Sequence, residues 1–226
     1  MNLQVKPDHY FSKGYDSKER FCSYWHQIEE ILSLKPSEVL EIGIGNRFIS
    51  KYLRERGVNI VTLDIDKELK PDIVGSVLDI PFQDKSFQLV ACYELLEHLP
   101  YRDTAKALSE ISRVSKEYII LSLPDVDRVY RIYLHIPKIG EIKRLVPLLR
   151  IKKPIHRFDG EHYWEIGKVG YPLKRILNDI QEQNLQLEKT YRVYEMPYHR
   201  FFILRKMELS AHERKASHSK HNHPKL

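Results

Sequence analysis

Glu41-Ile42-Gly43-Ile44-Gly45-Asn46, with Asp64 and Asp79 further along, are the residues whose types and spacing best suit ligand chemistry. A short apolar run that enters Gly-x-Gly and then a helical pattern brings backbone close to a ligand, because Gly43 and Gly45 carry no Cβ. A dinucleotide-binding turn needs a third glycine at position 48, where the chain has Phe48, so NAD and FAD are disfavoured. A carboxylate inside the turn, Glu41, would repel a pyrophosphate and suits a cationic ligand such as an ammonium group or a sulfonium. Asp64 closes the next apolar run, where a carboxylate can accept both ribose hydroxyls. Asp79 follows a third run and suits an exocyclic adenine amine. A lone Gly-x-Gly is more often a tight strand-to-helix turn with no ligand. The three acids together describe a nucleoside attached to a cationic amino acid.

His98, His156 and His162 are the candidates for moving a proton. An imidazole titrates near pH 6.5, so it can take a hydroxyl proton at neutral pH. His98 lies in Leu96-Glu97-His98, and His162 in Gly160-Glu161-His162-Tyr163-Trp164-Glu165, a polar and aromatic cluster with neither helical nor strand periodicity. Glu161 or Glu165 would orient the His162 ring, with Tyr163 and Trp164 as an apolar wall or a stacking face for a sugar. The competing expectation is an aromatic plug that anchors the surrounding loop. No metal centre is expected: Cys22 and Cys92 are too few and too far apart, and His212, His218, His221 and His223 sit in a polar tail.

The elements that must position these groups follow from periodicity. Residues 17–34 place Phe21, Tyr24, Trp25, Ile28, Ile31 and Leu32 at helical spacing, with Ser17 as N-cap and Arg20 where a capping box would have Glu. Strands are expected at 39–42, 58–63, 73–77, 87–92 and 118–123, with helices after Asn46 and over 102–115. Such alternation argues for a parallel sheet covered on both faces. A helix after Pro172 and two strands at 185–194 and 198–206 complete the pattern.

In the stretches VLEIGIGN (39–46), VTLDID (61–66), GSVLDIPFQDKSFQLV (75–90) and CYELLEHL (92–99), the chain resembles the class I S-adenosylmethionine-dependent methyltransferases of the small-substrate group called type 11. The resemblance implies an α/β fold: a Rossmann-like, seven-stranded, mostly parallel sheet with helices on both faces and the last strand antiparallel. It implies S-adenosyl-L-methionine as cofactor. Glu41 would orient the methionine ammonium, Gly43 and Gly45 admit the cofactor, Asp64 bind the ribose and Ile65 pack on the adenine. Asp79 and Ile80 would hold the adenine edge, and Tyr93 or Glu94 lie near the methionyl group and the acceptor. His162 and His98 are the catalytic candidates. The chain departs from the family in having Arg47 in place of a third glycine and Gln88 in place of an Asp. The Asn/Asp-Pro-Pro-Tyr/Phe motif of amino-methylating nucleic-acid enzymes is missing after the fourth strand, and Cys92 lacks the preceding Pro of cysteine nucleophiles. This leans towards a hydroxyl or carboxyl acceptor.

Composition bounds the rest. The chain has 226 residues, 42% of them hydrophobic and 11% aromatic, which supplies a core and excludes disorder of the whole. The net charge is +6, and between Arg128 and Arg157 nine basic residues face the single acid Glu141, a local excess of +8. Interleaved apolar residues make this stretch basic and amphipathic, a lid on an insertion at about 125–166. It suits an anionic or lipid-linked glycan-like acceptor, an anionic membrane surface, or RNA. Organisation is expected as an N-terminal helical cap (1–37), a methyltransferase domain (38–209) and a disordered tail rich in His and Lys (210–226). Few cysteines and the lack of an apolar leader or spanning run favour a cytoplasmic protein, at most peripheral to a membrane. The reading is O-methylation of a small or glycan-like acceptor, against an RNA methyltransferase or a non-catalytic binding protein.

Overall fold

The computed structural model describes residues 5–149 and 152–207. Strands β1 (Val39–Ile42), β2 (Ile60–Asp64), β3 (Ile73–Val74), β4 (Phe87–Tyr93), β5 (Ser115–Pro124), β8 (Leu185–Arg192) and β9 (His199–Lys206) form a seven-stranded sheet in the order β3-β2-β1-β4-β5-β9-β8. Pairing is parallel from β3 through β5, and β9 runs antiparallel to both of its neighbours. All four side chains of β1 are buried. A strand enclosed on both faces needs no polar alternation, which is why Val39-Leu40-Glu41-Ile42 reads as a continuous run.

The two faces feed two cores. Leu40, Ile42, Val90, Cys92, Ile119 and Leu121 pack with helix α4 (Tyr101–Val114), helix α5 (Leu173–Gln181) and Trp164. Val39, Leu89, Ala91, Tyr93 and Ile120 turn the other way, onto α2 (Lys18–Leu34) and α3 (Phe48–Glu55). The period of two along each strand produces this division. The N-terminal cap thus shares a core with the sheet. A short helix α1 (Pro7–Tyr10) precedes it.

Ser17 caps α2 as expected, accepting the Arg20 N–H at 3.2 Å. The buried face differs from the apolar stripe: Phe21 and Trp25 are exposed, whereas Ser23, Gln27 and Glu30 are buried beside Tyr24 and Ile31. Partners on the sheet explain this. Ser23 Oγ bonds His199 Nδ1 at 2.8 Å, and Glu30 accepts from Tyr191 and Lys189 at 2.8 and 2.7 Å.

The basic insertion folds as a β-hairpin. Strands β6 (Val129–Ile136) and β7 (Gly140–Pro147) pair with each other and with no strand of the main sheet. Val, Ile and Tyr favour extended backbone, and Lys138 and Gly140 take positive φ at the turn. Its stem is pinned by buried Asp125, which pairs with Arg200 at 2.6 Å and Arg192 at 3.6 Å. Arg131 and Lys143 tie one face to Glu195. The other face carries Tyr130, Ile132, Leu134 and Val146, all exposed, with Arg144 opposite Ile132. No helix among the described residues is long and apolar enough to cross a membrane. The tail expected over 210–226 lies outside the described residues.

Candidate cofactor and acceptor site

A cavity opens at the carboxyl ends of β1, β2 and β4, where the strand order reverses direction, the usual ligand position in open α/β sheets. Glu41, Gly43, Gly45, Asp64, Ile65, Tyr93 and Glu94 all line it. Gly43 has φ +79°, and a Cβ there would lie 2.3 Å from Leu95 Cδ1. The positive φ calls for glycine, whereas the contact is with the end of a flexible side chain. Arg47, in the position of a third glycine, takes φ 63° at the start of α3 and is absent from the cavity lining, so it does not crowd the pocket.

Burial dominates the electrostatics. Glu41 is enclosed, and desolvation pushes its carboxyl up to about 8, only partly offset by Ser50 and Arg54. Its Oε2 has no hydrogen-bond partner, and neither does Oδ2 of buried Asp66, which also lines the cavity. Burial raises Asp64 as well, against hydrogen bonds from backbone. Its Oδ2 accepts the Ile44 N–H and its Oδ1 the Asp66 N–H, each at 2.9 Å. Unpartnered buried carboxylate oxygens beside a turn without Cβ atoms fit a ligand that brings an ammonium group and ribose hydroxyls.

Two expected residues are placed elsewhere. Asp79 is exposed and outside the lining, while Ile80 is buried in the hydrophobic core and donates its N–H to Glu110. A turn closed by Asp79 N–H to Ser76 O at 3.1 Å directs Asp79 away, and Ser76 and Val77 face the cavity instead. Periodicity also gave no sign of Tyr10, Tyr15, Arg20 and Gln27, which close the cavity from α1, α2 and the loop between. The Tyr10 ring rests against Gly45, where an added Cβ would meet it at 3.5 Å. The available signal was the aromatic density of residues 9–15, which has no use on a solvated loop.

Beside the cavity stand His98 and His162, whose ring centroids are 4.8 Å apart at 80°. His98 lines the cavity; His162 stands behind it, outside the lining. His98 Nδ1 lies 3.1 Å from the Glu161 carbonyl, and burial, then the His162 charge, lower its pKa to about 4. Burial opposes protonation of His162, but hydrogen bonding to Glu165 at 3.2 Å and the nearby acidic charges outweigh it and raise the pKa. Glu165 is in turn held at about 2: burial works against ionisation, and His162, Tyr198 and Lys168 overcome it. His156 is outside the lining, with Nε2 donating to the His162 carbonyl at 2.9 Å and Nδ1 3.9 Å from Glu165. Trp164 is fully buried against Tyr101 and Tyr171. The cluster is therefore divided: Trp164 is buried in the core, whereas His162, two residues before it, packs on cavity-lining His98.

Residues 40–121 match the family described as a methyltransferase domain. Among curated proteins, the ribosomal RNA small subunit methyltransferase A of Mesomycoplasma hyopneumoniae is 30% identical over 97 residues, covering 38% of this chain and 36% of its own. The ubiquinone biosynthesis O-methyltransferase of Coxiella burnetii is 25% identical over 122 residues, covering 48% of this chain and 51% of its own. The chain thus spans about a third to a half of the length of the curated relatives it matches. In fold, it is similar to magnesium protoporphyrin IX methyltransferase from Synechocystis with bound SAM, with a TM-score of 0.58 at 10% identity over 89% of this chain and 90% of that one. The family match from β1 to β5, the strand order and these likenesses make the chain similar to S-adenosylmethionine-dependent methyltransferases, in sequence over residues 40–121 and in fold over most of its length.

Proposed function

We propose that the chain methylates a hydroxyl oxygen of a small or glycan-like acceptor. The observation that carries this reading is the adjacency of the acidic glycine-turn cavity to the His98–His162 pair. When bound, S-adenosylmethionine supplies an electrophilic methyl group on a sulfonium. Glu41, ionised on meeting a cation, would hold the ammonium; Asp64 and Asp66 would accept from the ribose; Ile65 and Val77 would flank the adenine, with Ser76 at its edge. Glu94 and Tyr93 border the methionyl end. Alignment by these groups supplies much of the acceleration in an in-line displacement. His98 and His162 are the acceptor-activating groups, polarised by the Glu161 carbonyl and the Glu165 carboxylate. Cys92 is not a nucleophile, because complete burial raises its thiol far above the usual range. The likeness to an O-methyltransferase over about half the chain supports an oxygen acceptor.

The hairpin gives the acceptor its further character. Exposed Tyr130, Ile132, Leu134 and Val146, with Arg144 among them, suit a lipid-linked or anionic acceptor presented at a membrane surface. The same basic, tyrosine-bearing surface favours RNA as the second reading, alongside the likeness to a ribosomal RNA methyltransferase. The test is transfer of labelled methyl from S-adenosylmethionine into a cell extract, separated into lipid, glycan, small-molecule and RNA fractions. Label as an O-methyl group in any of the first three supports the proposal. Label in RNA establishes the second reading, and no label with retained cofactor binding establishes a binding protein without turnover.

A further inference from the structure

Glu97 lies in the 3-10 turn Leu96–His98 that follows β4, is completely enclosed, and has no hydrogen-bond partner among the described residues at either carboxylate oxygen. The charges that act on it, Glu94 and Glu165, are both acidic. Glu94 Oε1 is buried and unpartnered too. Enclosed carboxylates without donors are costly unless a cation meets them. One ligand atom from each of Glu97, His98 and His162 lies within 4.8 Å of the other two.

Each imidazole has an oxygen acceptor beside its Nδ1. A carbonyl oxygen only accepts, so His98 Nδ1 donates to Glu161 O at 3.1 Å and the lone pair of the neutral ring is on Nε2. His162 Nδ1 likewise lies 3.2 Å from Oε1 of the Glu165 side chain. Imidazoles backed by a carbonyl or a carboxylate are the usual second layer of a metal centre. Donors around one ion at about 2.0–2.1 Å stand roughly 3.4 Å apart, so each would move inward by less than about 1 Å.

We infer that Glu97, His98 and His162 bind one first-row divalent cation, of the Zn²⁺ or Mn²⁺ kind. Two imidazoles and one carboxylate leave coordination positions open, the pattern of a catalytic rather than a structural site. His98 and Glu94 line the cavity, so the open side faces the place where an acceptor enters. A hydroxyl taken there would be oriented and made more acidic; this role, unlike the binding itself, rests on the methyl-transfer reading. No local pattern marks the centre, because its third ligand is separated from the first two by more than sixty residues, including the hairpin.

The experiment is equilibrium dialysis of the full chain against Zn²⁺, and separately Mn²⁺, with elemental analysis of the retained metal. A second background replaces His212, His218, His221 and His223 with Gln, so that the tail cannot supply the signal. About one equivalent should remain per chain in both backgrounds. Glu97→Gln and His162→Gln should each weaken retention at least about tenfold, and Glu165→Gln by roughly 10–100-fold through loss of ring orientation. His162 is less enclosed than Glu97, so its variant keeps the test decisive if Glu97→Gln fails to fold. Loss of all retention on tail replacement, or unchanged retention in the folded Glu97 and His162 variants, overturns the centre. Calorimetry with S-adenosylmethionine on the same preparations separates the two readings: retained metal without cofactor binding supports the centre and sinks the methyl-transfer reading, whereas cofactor binding without metal does the reverse.

Discussion

Asp64 Oδ2 accepts the backbone N–H of Ile44 at 2.9 Å, tying the end of β2 to the middle of the glycine turn on β1. The carboxylate therefore shapes the turn as well as facing the cavity. Asp64→Ala should weaken S-adenosylmethionine binding by about 1.5–3 kcal/mol, the usual worth of hydrogen bonds to a charged group, and lower the melting temperature because Ile44 and Asp66 lose their acceptor. Asp64→Asn keeps one acceptor oxygen and should be milder in both. Calorimetry and thermal melts on the two variants check this, and unchanged affinity in folded Asp64→Ala refutes the ribose assignment.

Gly43→Ala introduces two separable penalties. The Leu95 Cδ1 contact at 2.3 Å involves the end of a flexible side chain, which can rotate, whereas φ +79° cannot be relieved that way. A non-glycine residue in this region costs roughly 1–2 kcal/mol. The variant should be destabilised by about that much, and adding Leu95→Ala should recover little. Full rescue in the double variant would show that the contact, not the backbone, demands glycine.

Glu41 makes cofactor affinity depend on pH. Its folded-state pKa of about 8 lies above the ordinary 4.5, so between those values the folded protein holds a proton that the unfolded chain has lost. Its contribution to stability is present below the unfolded value and is lost as pH rises through 8. A cationic ligand needs the ionised carboxylate, so affinity should increase with pH up to about 8 and binding should release a proton. Calorimetry in buffers of different ionisation enthalpy measures the release. Glu41→Gln should abolish it and weaken binding.

His162 and Trp164, two positions apart, should fail differently. His162→Ala should reduce turnover by about 10²–10⁴-fold, whether through proton transfer or through the bound cation, with little change in melting temperature or cofactor affinity. Trp164→Ala empties a fully buried site and should cost about 3–5 kcal/mol of stability, with near-normal turnover at permissive temperature. Turnover and melting on both variants decide the division; near-normal turnover of His162→Ala removes it from the chemistry.

The hairpin should bind anionic vesicles in a salt-dependent way, since surface attraction is screened over about 8–10 Å at ordinary ionic strength. Arg144→Glu, on the exposed face, should reduce sedimentation with such vesicles and leave cofactor affinity intact. Lys143→Glu differs, because Lys143 holds Glu195 at 3.1 Å and its reversal should loosen the hairpin from the domain. Equal binding of Arg144→Glu and the native chain would show that this face meets no anionic surface.

Local rules fixed much of this molecule in advance. Strands, the glycine turn, Asp64 at the end of β2 and Ser17 before α2 follow from side-chain period, from the freedom of glycine and from capping chemistry, all of which act over a few residues. Longer-range placement was decided only in the folded chain. Asp79 is turned outward by a bond to Ser76 three residues away, which leaves Ser76 and Val77 at the cavity. Phe21 and Trp25 stay exposed because α2 spends its inner face on His199, Tyr93 and Tyr191, partners contributed by β4, β8 and β9. An apolar and basic composition cannot tell a hairpin from a helix, since both segregate faces; cross-strand pairing and the anchoring of Asp125 by Arg192 and Arg200 select the hairpin. His162 meets His98 for the same kind of reason: Tyr163 N–H bonds Glu97 O at 2.8 Å and Trp164 fills the core, and these contacts swing a distant loop onto the end of β4.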